Sequence, residues 1–269
     1  MPHAQGLMMT TTPSPSGNGW PAGLYLVPNT LDLAAEPVDI RDVLPDGVLR
    51  VAAALRHWVA EDARSTRAFL KRVAAVHPLG AALQDIRIEE LPRPRKGAPA
   101  EVDAGVWQAL LTPARQGHPL GLISEAGLPA VADPGALLVA AAHRAGVPVR
   151  PLPGPSSLLL ALAASGLDGQ HFAFVGYLPQ DAPARAARIR ELEAVSRRLR
   201  QTQVLIETPY RNPAMLQALL DSLAPSSRLA VSIGLTLPEG WSRTDTVAGW
   251  RARPTPLNPR LPAVFCLAG

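Results

Sequence analysis

Two rhythms of apolar residues alternate along this chain, and they are clearest between Gly121 and Leu162. An unbroken apolar run, Gly121 to Ser124, reads as a buried strand, and Glu125-Ala126-Gly127 makes a turn at its carboxyl end. Asp133-Pro134-Gly135 has the grammar of a helix start, with Asp133 as N-cap and Pro134 in the first position. The helix runs Ala136 to Ala145 and stops at Gly146, a residue suited to a left-handed cap. Val147 to Leu152 is the next strand, and Pro153-Gly154-Pro155 turns the chain. Ser156 or Ser157 caps a second apolar helix, Leu158 to Ala164. Strand, helix, strand and helix with tight turns predict an α/β fold with a parallel sheet. In such sheets ligands bind outside the carboxyl ends of the strands, where small residues let backbone face them. The same residues equally serve short loops, and the pattern alone leaves both readings level.

The rest of the chain follows the same logic. Strands are expected at Leu24 to Pro28, after Leu83, at His171 to Pro179, Val204 to Glu207, Arg228 to Ile233 and Leu261 to Leu267. Val48 to Trp58 mixes both rhythms and stays open. Asp62 or Ser65 caps a helix ending at Val76, and Val102 to Arg115 is amphipathic with Val102, Val106, Leu110 and Leu111 on one side. Ala184 to Gln201 turns Ile189, Leu192, Val195 and Leu199 inward and carries six arginines. Asn212 is placed to cap a helix from Ala214 to Leu223. This gives two α/β domains, residues 21–153 and 154–269, behind a disordered tail of residues 1–20.

Composition narrows the class. Hydrophobic residues make up 47% but aromatics only 4%, so the cores rest on Leu, Val and Ala. The net charge of +4 favours anionic partners, nucleic acid included, only weakly. The arginines of the 184–201 helix, with Arg93, Arg95 and Lys96, fit a solvated surface slightly better than an RNA-binding one. The single cysteine, Cys266, excludes a disulfide or a cysteine-based metal site within one chain, and the cytoplasm is the expected compartment. No apolar run is long enough for a spanning helix, and the tail has no basic start or apolar segment of a signal peptide. Metal-ligand spacing, a Walker A motif, a G-x-S-x-G elbow and G-x-G-x-x-G are all absent, which removes support for hydrolase, nucleotide-triphosphatase and dinucleotide readings.

Ile123-Ser124-Glu125-Ala126-Gly127-Leu128-Pro129, then Asp133-Pro134-Gly135, then Pro151-Leu152-Pro153-Gly154-Pro155-Ser156-Ser157, closely resemble the tetrapyrrole methylase superfamily. The nearest branch methylates a cytidine ribose 2′-hydroxyl in small-subunit ribosomal RNA. Looser matches are Val59 to Thr66, Phe174 to Pro179 and Val204 to Arg211. The resemblance implies two α/β domains with a trough between them for S-adenosylmethionine (SAM), a homodimer, a ribosomal RNA partner, and no membrane or metal. Carried over position by position, the donor would meet Pro28, Ser124, Glu125, Ala126, Gly127, Pro129, Asp133, Pro155, Ser156, Ser157, Tyr177 and Gly234. The loop Pro28 to Leu33 departs from the family's P-T-P-I-G-N-L, and Glu125 stands where Asp is usual. A hydroxyl acceptor needs a base. Asp32, Glu61, Asp62, Glu125 and Glu207 are the candidates, with Glu125 and Glu207 ranked first as catalytic residues. A tetrapyrrole carbon methylase and a non-catalytic member that binds SAM or a partner are the alternatives.

Overall fold

The computed structural model describes residues 19–32, 37–92 and 104–269. The tail up to residue 18, Leu33, the basic group Arg93, Arg95 and Lys96, and Val102 lie outside the described residues.

The first sheet is wholly parallel: β1 (Gly23–Leu26), β2 (His57–Ala60), β3 (Arg87–Glu90), β4 (Pro119–Ile123) and β5 (Val149–Pro151), in the order β3-β2-β4-β1-β5. Central strands of such a sheet are covered on both faces and so read as continuous apolar runs; β4 is buried at all five positions. The helices α1 (Ile40–Val43), α2 (Asp46–Ala54) and α3 (Ala63–Ala74) cover one face. On the other lie α4 (Ala104–Leu110), α5 (Thr112–Arg115) and α6 (Ala136–Arg144). Neighbouring strand residues feed opposite layers. Tyr25, Trp58 and Ile123 enter the first core; Leu24, Val59 and Leu122 enter the second.

After α7 (Ser157–Ser165) the chain builds a mixed sheet. Its elements are β6 (Phe172–Gly176), α8 (Ala182–Leu199), β7 (Thr202–Glu207), α9 (Asn212–Ser222), β8 (Arg228–Ile233), β9 (Trp241–Thr246), α10 (Val247–Ala252) and β10 (Ala263–Ala268). The order is β6-β7-β10-β8-β9, with only the β6–β7 pair parallel. Helices α8, α9 and α10 pack on one face with Trp250 and Phe265, and α7 covers Val204, Val264 and Cys266 on the other.

Several local expectations change. Val48 to Trp58 contains both rhythms because α2 ends at Ala54 and β2 begins at His57. The 102–115 helix is two pieces, broken where Pro113 enters the first turn of α5. Asp133 does not cap α6; Gly135, at φ 128°, takes that position. Ser156 sits at the N-cap of α7 without a side-chain bond. Asn212 is the first residue of α9, and its buried Nδ2 donates to the Leu261 carbonyl instead of capping. On α8 the buried stripe is Ile189, Leu192, Glu193 and Ser196, while Leu199 is exposed. Glu193 is inward because it accepts from Ala224 N, Ser227 Oγ and Arg197. The edge strand β9 and the four-residue α1 were not anticipated: one is mostly polar, the other too short to show a period.

Gly121 of β4 lies opposite Trp58 of β2, and a Cβ there would come within 2.6 Å of the indole. Gly121→Ala is expected to cost about 1–3 kcal/mol by overpacking. Urea unfolding should show a lower midpoint with an unchanged slope.

Candidate functional site

The turn after β4 carries backbone groups beyond the reach of the sheet, and the loop after β1 satisfies them. Asn29 N donates to the Gly127 carbonyl at 2.9 Å. Its side-chain Nδ2 donates to the carbonyls of Ser124 (3.2 Å) and Glu125 (2.9 Å). The loop is locked from behind by Asp32, 8% exposed, whose carboxylate takes Arg72 at 2.9 Å, Thr30 Oγ1 and Val38 N. Burial alone would raise the Asp32 pKa, but these donors and the Arg72 charge hold it below the ordinary carboxylate range. Asp32 is therefore a strut of the loop, and its place among candidate bases falls.

Facing this clamp is a cleft of about 270 Å³ between the two sheets. Leu31, Ala126 and Ser157 line one side; Tyr177, the end of β7 with Thr208 and Pro209, Ser232, Leu235 and the start of β10 line the other. Four of the expected residues meet there: Ala126, Ser157, Tyr177 and Glu207. Gly176, at φ 71° beside a register shift in the β6–β7 pairing, turns the chain so that Tyr177 stands 58% exposed at the rim. Pro28, Ser124, Gly127, Pro129, Ser156 and Gly234 are buried, and Glu125, Asp133 and Pro155 half-buried, all outside the lining itself. The Ser124 Oγ is buried without a hydrogen-bond partner among the described residues.

Glu207 is also committed. One oxygen meets Arg211 at 3.1 Å; the other accepts from Thr208 N (2.7 Å) and Oγ1 (3.1 Å). It braces the turn that floors the cleft. Asp62 caps α3 through Ser65 N. Glu61, at the end of β2, accepts from the Glu125 backbone N–H at 3.1 Å. Beside this pair lies Asp133, in a segment where Ala130 (φ 67°) and Ala132 (φ 63°) both hold left-handed conformations. Burial, with the charges of Glu61 and then Glu125, pushes the Asp133 pKa up to about 7. Tyr177 is raised by burial and then by Asp133, Glu207 and Glu61, which sets it across from the same carboxylates. Sequence reasoning gave no role to Asn29 or Arg72. It also read Asp133 as a cap and a donor contact, not as an acid with altered ionisation.

Comparison with known proteins fixes the ancestry. The family model for tetrapyrrole (corrin/porphyrin) methylases matches residues 48–240. The chain belongs to the tetrapyrrole methylase family. It is 34% identical over 207 residues to ribosomal RNA small subunit methyltransferase I of Xylella fastidiosa, covering 76% of this chain and 67% of that protein. The like-named protein of Vibrio cholerae is 39% identical over 129 residues, 48% of this chain. The chain spans only 43% of the length of that relative. In fold, this tetrapyrrole methylase is similar to a conserved hypothetical protein from Aeropyrum pernix K1 (TM-score 0.56, 17% identity, 93% of this chain and 85% of that one). It is likewise similar to the methyltransferase CobJ (TM-score 0.54, 17% identity, 92% and 94%). Among the described residues no helix is long and apolar enough to cross a membrane.

The raised Asp133 has a consequence for stability. A carboxyl whose folded pKa lies above its unfolded value of 3.8 contributes stability below pH 4 that is lost as pH rises through about 7. Asp133→Asn should therefore melt higher than the parent at pH 8 and equally at pH 4, as thermal unfolding across that range will show.

Proposed function

We propose that this tetrapyrrole methylase transfers a methyl group from SAM to a ribose 2′-hydroxyl of small-subunit ribosomal RNA. The carrying observation is the cleft. It lies at the carboxyl ends of β1 and β4, with Leu31 and Ala126 of the loops that follow them on one side, where open α/β sheets receive ligands. The two relatives above, both named ribosomal RNA small subunit methyltransferase I, support the choice of acceptor. In this reading the domains are residues 21–153 and 154–269, and the protein works where ribosomes are, in the cytoplasm.

The residues fit the donor. Ala126, Ser157 and Leu31 offer apolar and small surface to an adenosyl group, and the carboxylate-bearing Glu207 lines the same cleft. The donor, when bound, supplies an activated methyl. The protein's part is to align the two reactants, exclude water and receive a proton. Among the described residues none that lines the cleft is Lys or Arg, so the carboxylates of a tetrapyrrole would find no cation there. Of the altered loop, Leu31 lines the cleft.

The test is calorimetric titration with SAM and S-adenosylhomocysteine, then methyl transfer to under-methylated small ribosomal subunits. Binding of both, with label on a ribose of the RNA, is the expected result. Failure to bind either ligand, or to label RNA, overturns the reading. Ala126→Trp should fill the cleft and weaken SAM binding by about 100-fold or more, equivalent to ~2.7 kcal/mol, with the fold retained by circular dichroism.

The homodimer is proposed on a separate observation. Among the described residues strand β6 pairs with β7 alone, which leaves one edge open, and Phe172 and Phe174 are exposed along it. Leu159 and Leu160 of α7 are exposed as well. A second copy covering this strand and helix would bury them. Phe172→Lys with Phe174→Lys should convert a dimer to a monomer in sedimentation; an unchanged mass would exclude this face.

A further inference from the structure

We propose that Tyr177 and Tyr210 form a stacking platform for unpaired bases of the acceptor RNA, at the rim of the cleft. The inference rests on the reading of the cleft as a site of RNA methyl transfer.

The first observation is where the aromatic side chains lie. The chain has four Phe, three Tyr and five Trp. Tyr25, Trp58, Phe69, Trp107, Trp250 and Phe265 are buried, and Trp20 and Trp241 half-buried. The exposed ones are Phe172, Phe174, Tyr177 and Tyr210. All four belong to one corner of the second sheet, on β6 or just beyond the carboxyl ends of β6 and β7. Exposed apolar residues scattered singly are ordinary, but a group gathered in one place marks a contact surface. The two Phe lie on the open strand edge that a second copy would cover. The two Tyr lie past the strand ends, at the cleft.

Topology brings the tyrosines to one side. Strands β6 and β7 are parallel neighbours, so their carboxyl ends emerge together, about 5 Å apart. Tyr177 directly follows β6 and lines the cleft. Tyr210 directly follows Pro209, which lines the cleft, in the turn after β7. Tyr210 is 72% exposed, so most of its surface is open to a ligand. Both residues are carried on fixed backbone. Gly176, in left-handed conformation beside the register shift, sets how the chain leaves β6. The Tyr210 turn is fastened on both sides: Glu207 accepts from Thr208 and pairs with Arg211, whose N–H donates to the Thr208 carbonyl. An aromatic surface held in this way loses little freedom when a ligand binds.

The chemistry selects the ligand. RNA read outside a duplex is held by stacking its splayed bases on aromatic side chains, and every base has a π-face to offer. Among the described residues lining the cleft there is no Lys or Arg, and Glu207 is there, so backbone phosphates find no cation in it. Bases are what this rim can grip. A strand held by its bases leaves the ribose free to enter the cleft, whereas a duplex keeps its bases stacked on one another.

Fluorescence anisotropy with the full chain tests the assignment, using a labelled oligocytidylate strand, an abasic strand of equal length and an RNA duplex. The parent should bind the oligocytidylate more tightly than the abasic strand. Tyr177→Ala and Tyr210→Ala should each weaken oligocytidylate binding by about 5- to 100-fold. The slope of log affinity against log salt should stay the same, because no phosphate contact is lost. The abasic strand and the duplex should bind both variants as they bind the parent. Tyr210→Phe should keep the affinity and Tyr210→Leu, apolar but not aromatic, should lose it, while calorimetry shows SAM bound by Tyr210→Ala as by the parent. Parent affinity in both alanine variants, equal losses on normal and abasic strands, or a parent that does not distinguish those strands overturns the platform. SAM binding and ribose labelling would then leave the methyltransferase reading standing. Loss of a dimer in Tyr210→Ala, seen by sedimentation, also overturns it and assigns the ring to the interface between copies. A parent protein that labels no RNA overturns the reading of the cleft and this inference with it.

Discussion

A parallel strand that ends at a ligand site presents carbonyls and amides with no further strand to pair with, and every buried one must be answered. Here the answer is largely one residue. Asn29 takes up the carbonyls of Ser124 and Glu125 through its side chain and that of Gly127 through its backbone. A return bond from Gly127 N to the Thr30 carbonyl closes the clamp. Two loops almost a hundred residues apart are thereby held as one wall. The clamp would drift if the first loop were loose, and the buried Asp32–Arg72 pair ties that loop to α3. Such a pair is weak grounds for net stability, since its desolvation offsets much of its attraction. Its value lies in position: the loop has one place to be, and the cleft one shape.

That scaffold sorts the acids of the site into two kinds. Those that fix backbone are neutralised by guanidinium or amide donors: Asp32 by Arg72, Glu207 by Arg211 and Thr208. Glu61, after β2, and Glu125 and Asp133, both in the connection from β4 to α6, form a second group: Glu61 accepts from the Glu125 amide, and the Asp133 carboxyl is raised by burial and then by the charges of Glu61 and Glu125. Repulsion among like charges is a cost to folding that a structural role would not require. A positively charged ligand beside the cluster would remove that cost.

The parallel half of the fold was legible because its strands are buried on both faces and leave apolar runs that nothing else in the chain imitates. The Gly121–Leu162 segment was read nearly residue by residue for that reason. The motif positions Ala126, Ser157, Tyr177 and Glu207 were picked out by resemblance and converge on the cleft. Three kinds of information were not in the pattern. Polar edge strands such as β9 carry no apolar alternation. Caps depend on where the first helical turn begins, so Asp133 and Asn212 were each assigned to an end that tertiary packing had moved. The inward turn of Glu193 on α8 depends on partners about thirty residues away, at Ala224 and Ser227, which no helical period contains. The same holds for the ionisation of Asp133, which is set by neighbours from two other strands.

The two sheets contribute differently to one site, and their connectivity explains why. In the parallel sheet the strands share one direction, so the loops after β1 and β4 reach the cleft together, at Leu31 and Ala126. In the mixed sheet β10 runs against β7 and β8, so its amino end, Pro262 to Val264, lies beside the carboxyl end of β7. That edge supplies apolar side chains and one braced turn, which is a floor and little more. The cleft thus takes small and apolar surface, Leu31, Ala126 and Ser157, from one side, and Tyr177, Glu207, Thr208 and Ser232 with the start of β10 from the other.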